Sequence, residues 1–241
     1  KLLSKTGNYK GAIDEYKEIL NKFPKDKKSL ENLGYIYLDL KRPSEGINIF
    51  KRLLELDPGN SSYLFNLGFL YKFKGDYDQA VDSFERAIKI NPENYLIYLN
   101  LGEVYKLKKD YKKAEEMLQK SIEQFPMDFM VYYEMGLIKL EQKDYEKGLE
   151  YFEKSYELNE GDLYTINKIA SVYTYIGEYE KAEEYYKKAI LIDEEDPYTH
   201  FKFGEFYIKK GDKESAKREL ERVLELEPNY VIAQLKLKEL D

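Results

Sequence analysis

The residues that could carry chemistry here are 46 Asp and Glu, 39 Lys and Arg, one imidazole at His200 and no Cys at all. A thiol nucleophile and a thiolate metal site are therefore excluded, and a single His cannot supply the paired imidazoles of most histidine metal sites. No glycine-rich loop with its lysine is present to cradle a phosphate. The carboxylates alternate with lysines, the pattern of a solvated face, and nothing in the sequence separates two of them for acid–base work. A net charge of −7 argues against binding a nucleic-acid backbone, which requires a basic stripe. The run Asp193–Asp196 and the cluster Lys106, Lys108, Lys109, Lys112 and Lys113 both surround turns and read as solvated loops. What remains for function is surface, with no catalytic residue, metal or cofactor expected.

The elements that would position such a surface repeat. Displacing the sequence by 34 residues carries Gly34 onto Gly68, Gly102, Gly136, Ala170 and Gly204. A Gly inside a helical pattern costs about 1 kcal/mol relative to Ala, so a small residue at a fixed interval marks the close approach of a second helix. Leu64, Leu67, Leu70 and Tyr71 form one helical stripe, Ala80, Phe84, Ala87 and Ile88 a second, and Gly75-Asp76 breaks the chain between them. Each helix of roughly 13 residues is about 20 Å long, and such a hairpin must stack on its copies to bury both faces.

Leu64-x2-Leu67-Gly68-x2-Tyr71, Ala80-x3-Phe84 and Pro92 together resemble the tetratricopeptide repeat, with Leu64 where that pattern prefers Trp. The resemblance covers essentially the whole chain and implies an all-α, right-handed α-α superhelix (solenoid) of helix-turn-helix units. Six units are expected at 27–60, 61–94, 95–128, 129–162, 163–196 and 197–230. Residues 1–26 read as the second helix of an incomplete repeat, through Gly7, Ala12, Tyr16 and Pro24, so the natural protein is expected to extend further toward its N-terminus. Residues 231–241 read as a capping helix, packing through Ala233, Leu237 and Leu240 with Lys236, Lys238 and Glu239 toward water.

Turn chemistry recurs. Asp76, Asp110, Asp144 and Asp212 precede second helices and are expected to cap their free N–H groups. Pro43 fits the first turn of its helix, and Pro197 opens another. His200 falls where Leu64 and Tyr98 stand, which directs it inward as a packing residue.

The resemblance also implies that the first helix of each unit lines a concave groove. Its inward positions are Phe65, Asn66, Phe69, Lys72 and Phe73 in one unit and Leu96, Leu99, Asn100, Lys106 and Leu107 in the next. Met130, Tyr133, Leu137, Tyr164, Tyr175, Tyr198 and Phe201 follow. The groove is expected to be apolar and aromatic, or else partly closed by these rings packing on neighbouring repeats. Asn32, Asn66 and Asn100 form a ladder that could bond the backbone of an extended peptide, or be ordinary at that position. Lys72 and Lys106 could hold a carboxylate or stand solvated.

Family members that clamp acidic chaperone tails carry lysines and asparagine where this chain has Glu31, Tyr35, Phe65, Phe69, Leu99 and Glu103, which disfavours that subtype. The expected function is a non-catalytic scaffold that binds a peptide or helix of a partner protein. A substrate-recognition arm of a larger enzyme such as a glycosyltransferase, and a self-associating module forming a homo-oligomer, remain the alternatives. No membrane span or nucleic acid is expected, and the cytoplasm is the expected compartment.

Overall fold

An Asn or Asp precedes the first helix of every hairpin at an unbroken interval: Asp26, Asn60, Asn94, Asp128, Asp162 and Asp196. Each accepts a backbone N–H two or three residues on, from Ser29, Tyr63, Leu96, Met130, Thr165 and Thr199 respectively. A cap of this kind satisfies one of the otherwise orphaned donors of the first turn. Three second helices are capped in the same way by Asp110, Asp144 and Asp212. Asp76 departs from expectation, because its carboxylate is taken by the Lys74 ammonium at 2.7 Å instead of a helix N–H.

The structure, a computed structural model, describes residues 9–240, all-α with no strand among them. Gly7, one of the residues that align the incomplete repeat, lies outside those residues.

The described residues fall into two units. The first, to Pro126, contains α1 (Tyr9–Lys22) and the hairpins α2 (Lys27–Asp39)/α3 (Pro43–Leu56), α4 (Ser61–Lys74)/α5 (Tyr77–Ile90) and α6 (Tyr95–Leu107)/α7 (Tyr111–Gln124). Each hairpin packs on the next, α1 on α2, α3 on α4 and α5 on α6, and α4 also touches α6.

The second unit, from Met127, contains α8 (Phe129–Glu141)/α9 (Tyr145–Leu158), α10 (Leu163–Ile176)/α11 (Tyr179–Ile192), α12 (Pro197–Lys210)/α13 (Lys213–Leu226) and the single helix α14 (Val231–Leu240). Here α9 packs on α10, α11 on α12, α13 on α14, and α10 also touches α12.

The recurring glycine explains how each hairpin closes. A methyl on Gly68 would come within 2.8 Å of the Phe84 ring, one on Gly102 within 2.7 Å of Leu118, and one on Gly136 within 2.7 Å of Phe152. Those large partners are fully buried, as are Phe50, Leu220 and, opposite Ala170, Tyr186. The hairpin turns use left-handed backbone, at Gly75, Gly177 and Gly211 but also at Lys41, Lys109 and Lys143.

In α14, Ala233 is buried and Leu237 and Leu240 pack on the core formed by Phe201, Leu220 and Val223. Lys236 does not simply face water: its ammonium reaches Glu205 on α12 at 3.2 Å.

Candidate functional site

In the first unit the side chains expected to line a groove come from α4 and α6. Residues four apart lie on one face of a helix, so Phe65, Phe69 and Phe73 share a stripe on α4. They are unequally available. Phe65 is half-buried with its ring 5.8 Å from that of Phe84, whereas Phe69 and Phe73 are 37% and 52% exposed. On α6, Leu96 and Leu107 are exposed.

Leu99 and Asn100 differ from expectation in being buried. Leu99 therefore belongs to the packing, and Asn100 spends its polar groups within the chain. Its amide donates to the Leu96 carbonyl at 2.9 Å and its oxygen accepts from Lys72 at 2.6 Å. Asn32 likewise donates to the carbonyl of Lys28 on its own helix, at 2.8 Å. Asn66 is half-buried.

Lys72, read as a holder of a ligand carboxylate or a solvated lysine, pairs with Glu103 and lies 4.9 Å from the centre of the Phe69 ring. Lys106 is half-buried, Lys108 pairs with Asp78 and Lys113 with Asp110. Lys72, Lys108 and Lys113 are thus matched by the chain's own carboxylates, and of the two exposed rings of α4 Phe69 lies beside the Lys72 ammonium.

In the second unit the corresponding positions give Met130 at the surface, Tyr164 68% exposed and Tyr175 61% exposed. Tyr175 lies against Tyr145 with ring centres 4.6 Å apart and planes tilted by 34°, and carries the Lys209 ammonium 5.0 Å from its ring. Tyr133 and Leu137 are half-buried, Tyr133 against Phe152 at 5.5 Å, and burial pushes the Tyr133 phenol above its ordinary range. Tyr198 is half-buried. Phe201 is a correction: it is buried, with its ring 5.2 Å from that of Tyr230.

Sequence reasoning missed the Tyr145–Tyr175 ring pair and the Lys72–Asn100–Glu103 cluster. The signal for the cluster was a cationic side chain late in one first helix and an anionic one midway along the next. His200 is buried, as its register requires. Among the described residues no group of three or more His, Cys, Asp or Glu is placed to hold a metal ion, and no helix is long and apolar enough to cross a membrane.

Two family models described as tetratricopeptide repeat match the chain, one over residues 74–133 and 176–239, the other over 28–93 and 128–195. No curated protein matches it. Among solved structures, a tetratricopeptide repeat protein from Parabacteroides merdae superposes with a TM-score of 0.78 at 19% identity, over 99% of this chain and 94% of that one. A chain of the APC/C hetero-tetramer Cut9-Hcn1 does so with a TM-score of 0.75 at 21% identity over 99% of this chain, which spans only 47% of that one. YrrB, described as a TPR protein with an unusual peptide-binding site, gives a TM-score of 0.58 at 20% identity over 78% of this chain and 97% of its own. At these identities the likeness is one of fold.

Proposed function

The chain belongs to the tetratricopeptide repeat family, and from that premise we propose that it is a non-catalytic scaffold binding an apolar segment of a partner protein across α4 and α6. The fold supports a protein-interaction role in general. The finer reading rests on one observation: Phe69 and Phe73 stand exposed one turn apart, while the cation and amide beside them are already engaged inside the chain.

A ligand that relied on charge would have to displace Glu103 from Lys72, whereas an apolar one need only cover the rings. Burying a fully exposed large apolar side chain contributes about 1.5–3 kcal/mol, and with 37% and 52% of their surface left to cover Phe69 and Phe73 together can add about 1–3 kcal/mol. Leu96 and Leu107 of α6 are exposed as well. The peptide-binding site described for YrrB supports a peptide as the class of ligand.

The test is a selection of phage-displayed peptides on the chain, followed by fluorescence anisotropy of the enriched sequences. Enriched peptides should be apolar, and the Phe69→Ser/Phe73→Ser variant, with an unchanged circular dichroism spectrum, should bind them at least about tenfold more weakly. Equal affinity for the folded variant would move the site off this face.

A further inference from the structure

His200, the one histidine of the chain, lies in the first turn of α12 and is buried. Its Nδ1 is 2.7 Å from Glu219 Oε2 on α13, and its Nε2 is 3.0 Å from the main-chain carbonyl oxygen of Glu194, in the loop joining α11 to α12. A carboxylate and a carbonyl can only accept. A neutral imidazole has one N–H, so one ring lone pair would face an oxygen at hydrogen-bond distance, whereas the imidazolium donates to both.

We infer that His200 is a pH-sensitive clamp, whose imidazolium ties the 193–196 loop to α13 and whose deprotonation releases the Glu194 carbonyl. The carbonyl is the partner released because the alternative sets a nitrogen lone pair against the full negative charge of Glu219.

The surrounding groups act in known directions. On α13 Glu219 favours the cation and Arg222 opposes it. In the loop, Asp196 is engaged by the Thr199 N–H and hydroxyl at 2.9 and 2.6 Å, and Asp193 accepts from the Glu195 N–H at 2.9 Å. From α10 the contact is uncharged, the Asn167 amide donating to the Thr199 hydroxyl at 2.7 Å. The hydrogen bond to Glu219 outweighs the burial and holds the imidazole above its usual proton affinity.

A folded value raised above the unfolded one, about 6.5, means the clamp contributes fully below that pH and fades as pH rises through the folded value. Because Asp196 caps α12 and Thr199 receives Asn167 from α10, the loop's release also loosens the seating of α12 on α10.

The experiment is an NMR titration of the full chain from about pH 5 to about pH 9, in which the single imidazole Cε1–H resonance is unambiguous. Its midpoint should lie above about 6.5, with the Glu194 and Glu195 amide shifts moving at the same midpoint. Glu219→Gln, checked by circular dichroism, should lower the midpoint. A wild-type midpoint at or below that value, loop amides indifferent to it, or a folded Glu219→Gln variant with an unmoved midpoint would each overturn the clamp. The wild-type titration decides the matter alone if the variant does not fold.

Discussion

The ammonium of Lys72 on α4 donates to the amide oxygen of Asn100 on α6 at 2.6 Å, which links the first helices of two adjacent hairpins across the face proposed to bind ligand. Lys72 and Glu103 keep only 14% and 22% of their side-chain surface, so this pair is screened less than the exposed ones around it. Lys72→Met should strand the Glu103 carboxylate and the Asn100 oxygen and cost about 1–2 kcal/mol. Thermal unfolding followed by circular dichroism would read that as a fall of several degrees. An unmoved Tm would place the pair with ordinary surface ion pairs, which contribute little.

The glycine register makes a graded prediction. A methyl on Gly136 would meet the Phe152 ring at 2.7, 2.8 and 2.9 Å, where a rigid buried ring cannot retreat, while one on Gly34 meets its nearest atom at 3.1 Å. Gly136→Ala should therefore lose about 1–3 kcal/mol to overpacking, more than the roughly 1 kcal/mol of helix propensity it gains. Gly34→Ala should be nearer neutral. Urea midpoints of the two variants falling in the opposite order would refute this account of how the hairpins close.

That register was open to reading because a small residue and its large partner sixteen positions on repeat with the period, from Gly34/Phe50 to Gly204/Leu220. The six Asn and Asp caps before the first helices repeat just as strictly, and their period marks the start of each hairpin as plainly as the Gly-Asp turn marks its middle. The candidate site was less legible, because inward direction does not fix exposure. Leu96, Met130 and Tyr164, at the second position of their units, remain at the surface. At the fifth position Phe65 and Tyr133 lean on the second helix of their own hairpin, and Leu99 and Phe201 are buried. Which rings stay free depends on the size of side chains one element away, and no spacing rule encodes that.

Lys109 and Lys143 hold φ values of 61° and 63° where the equivalent turn residue Gly75 has 89°. A side chain in left-handed backbone costs roughly 1–2 kcal/mol, and glycine is the residue that avoids it at a helix C-terminus. Lys109→Gly should thus stabilise the chain by about 0.5–1 kcal/mol, after the extra freedom it gives the unfolded state. A raised Tm is the expected result, and Gly75→Lys should move it the other way. A lowered Tm for Lys109→Gly would show that the lysine side chain has a compensating role.

Phenols held protonated by burial set the behaviour of the fold in alkali, Tyr133 among them. Burial, aided by hydrogen bonding to Glu31, pushes Tyr63 up to about 12; burial with Glu153 does the same for Tyr173, and burial beside the Glu183 charge for Tyr207. An unfolded chain releases these protons near pH 10, so between about 10 and about 12 the folded state binds more protons and stability falls as pH rises. In an ultraviolet titration these buried phenols should ionise only as the helical circular dichroism collapses. Tyr63→Phe removes one proton from that linkage and should make the alkaline loss of stability shallower, measured as urea midpoints across the same interval. If Tyr63→Phe leaves the slope unchanged, the Tyr63 proton is not among those that couple folding to alkaline pH.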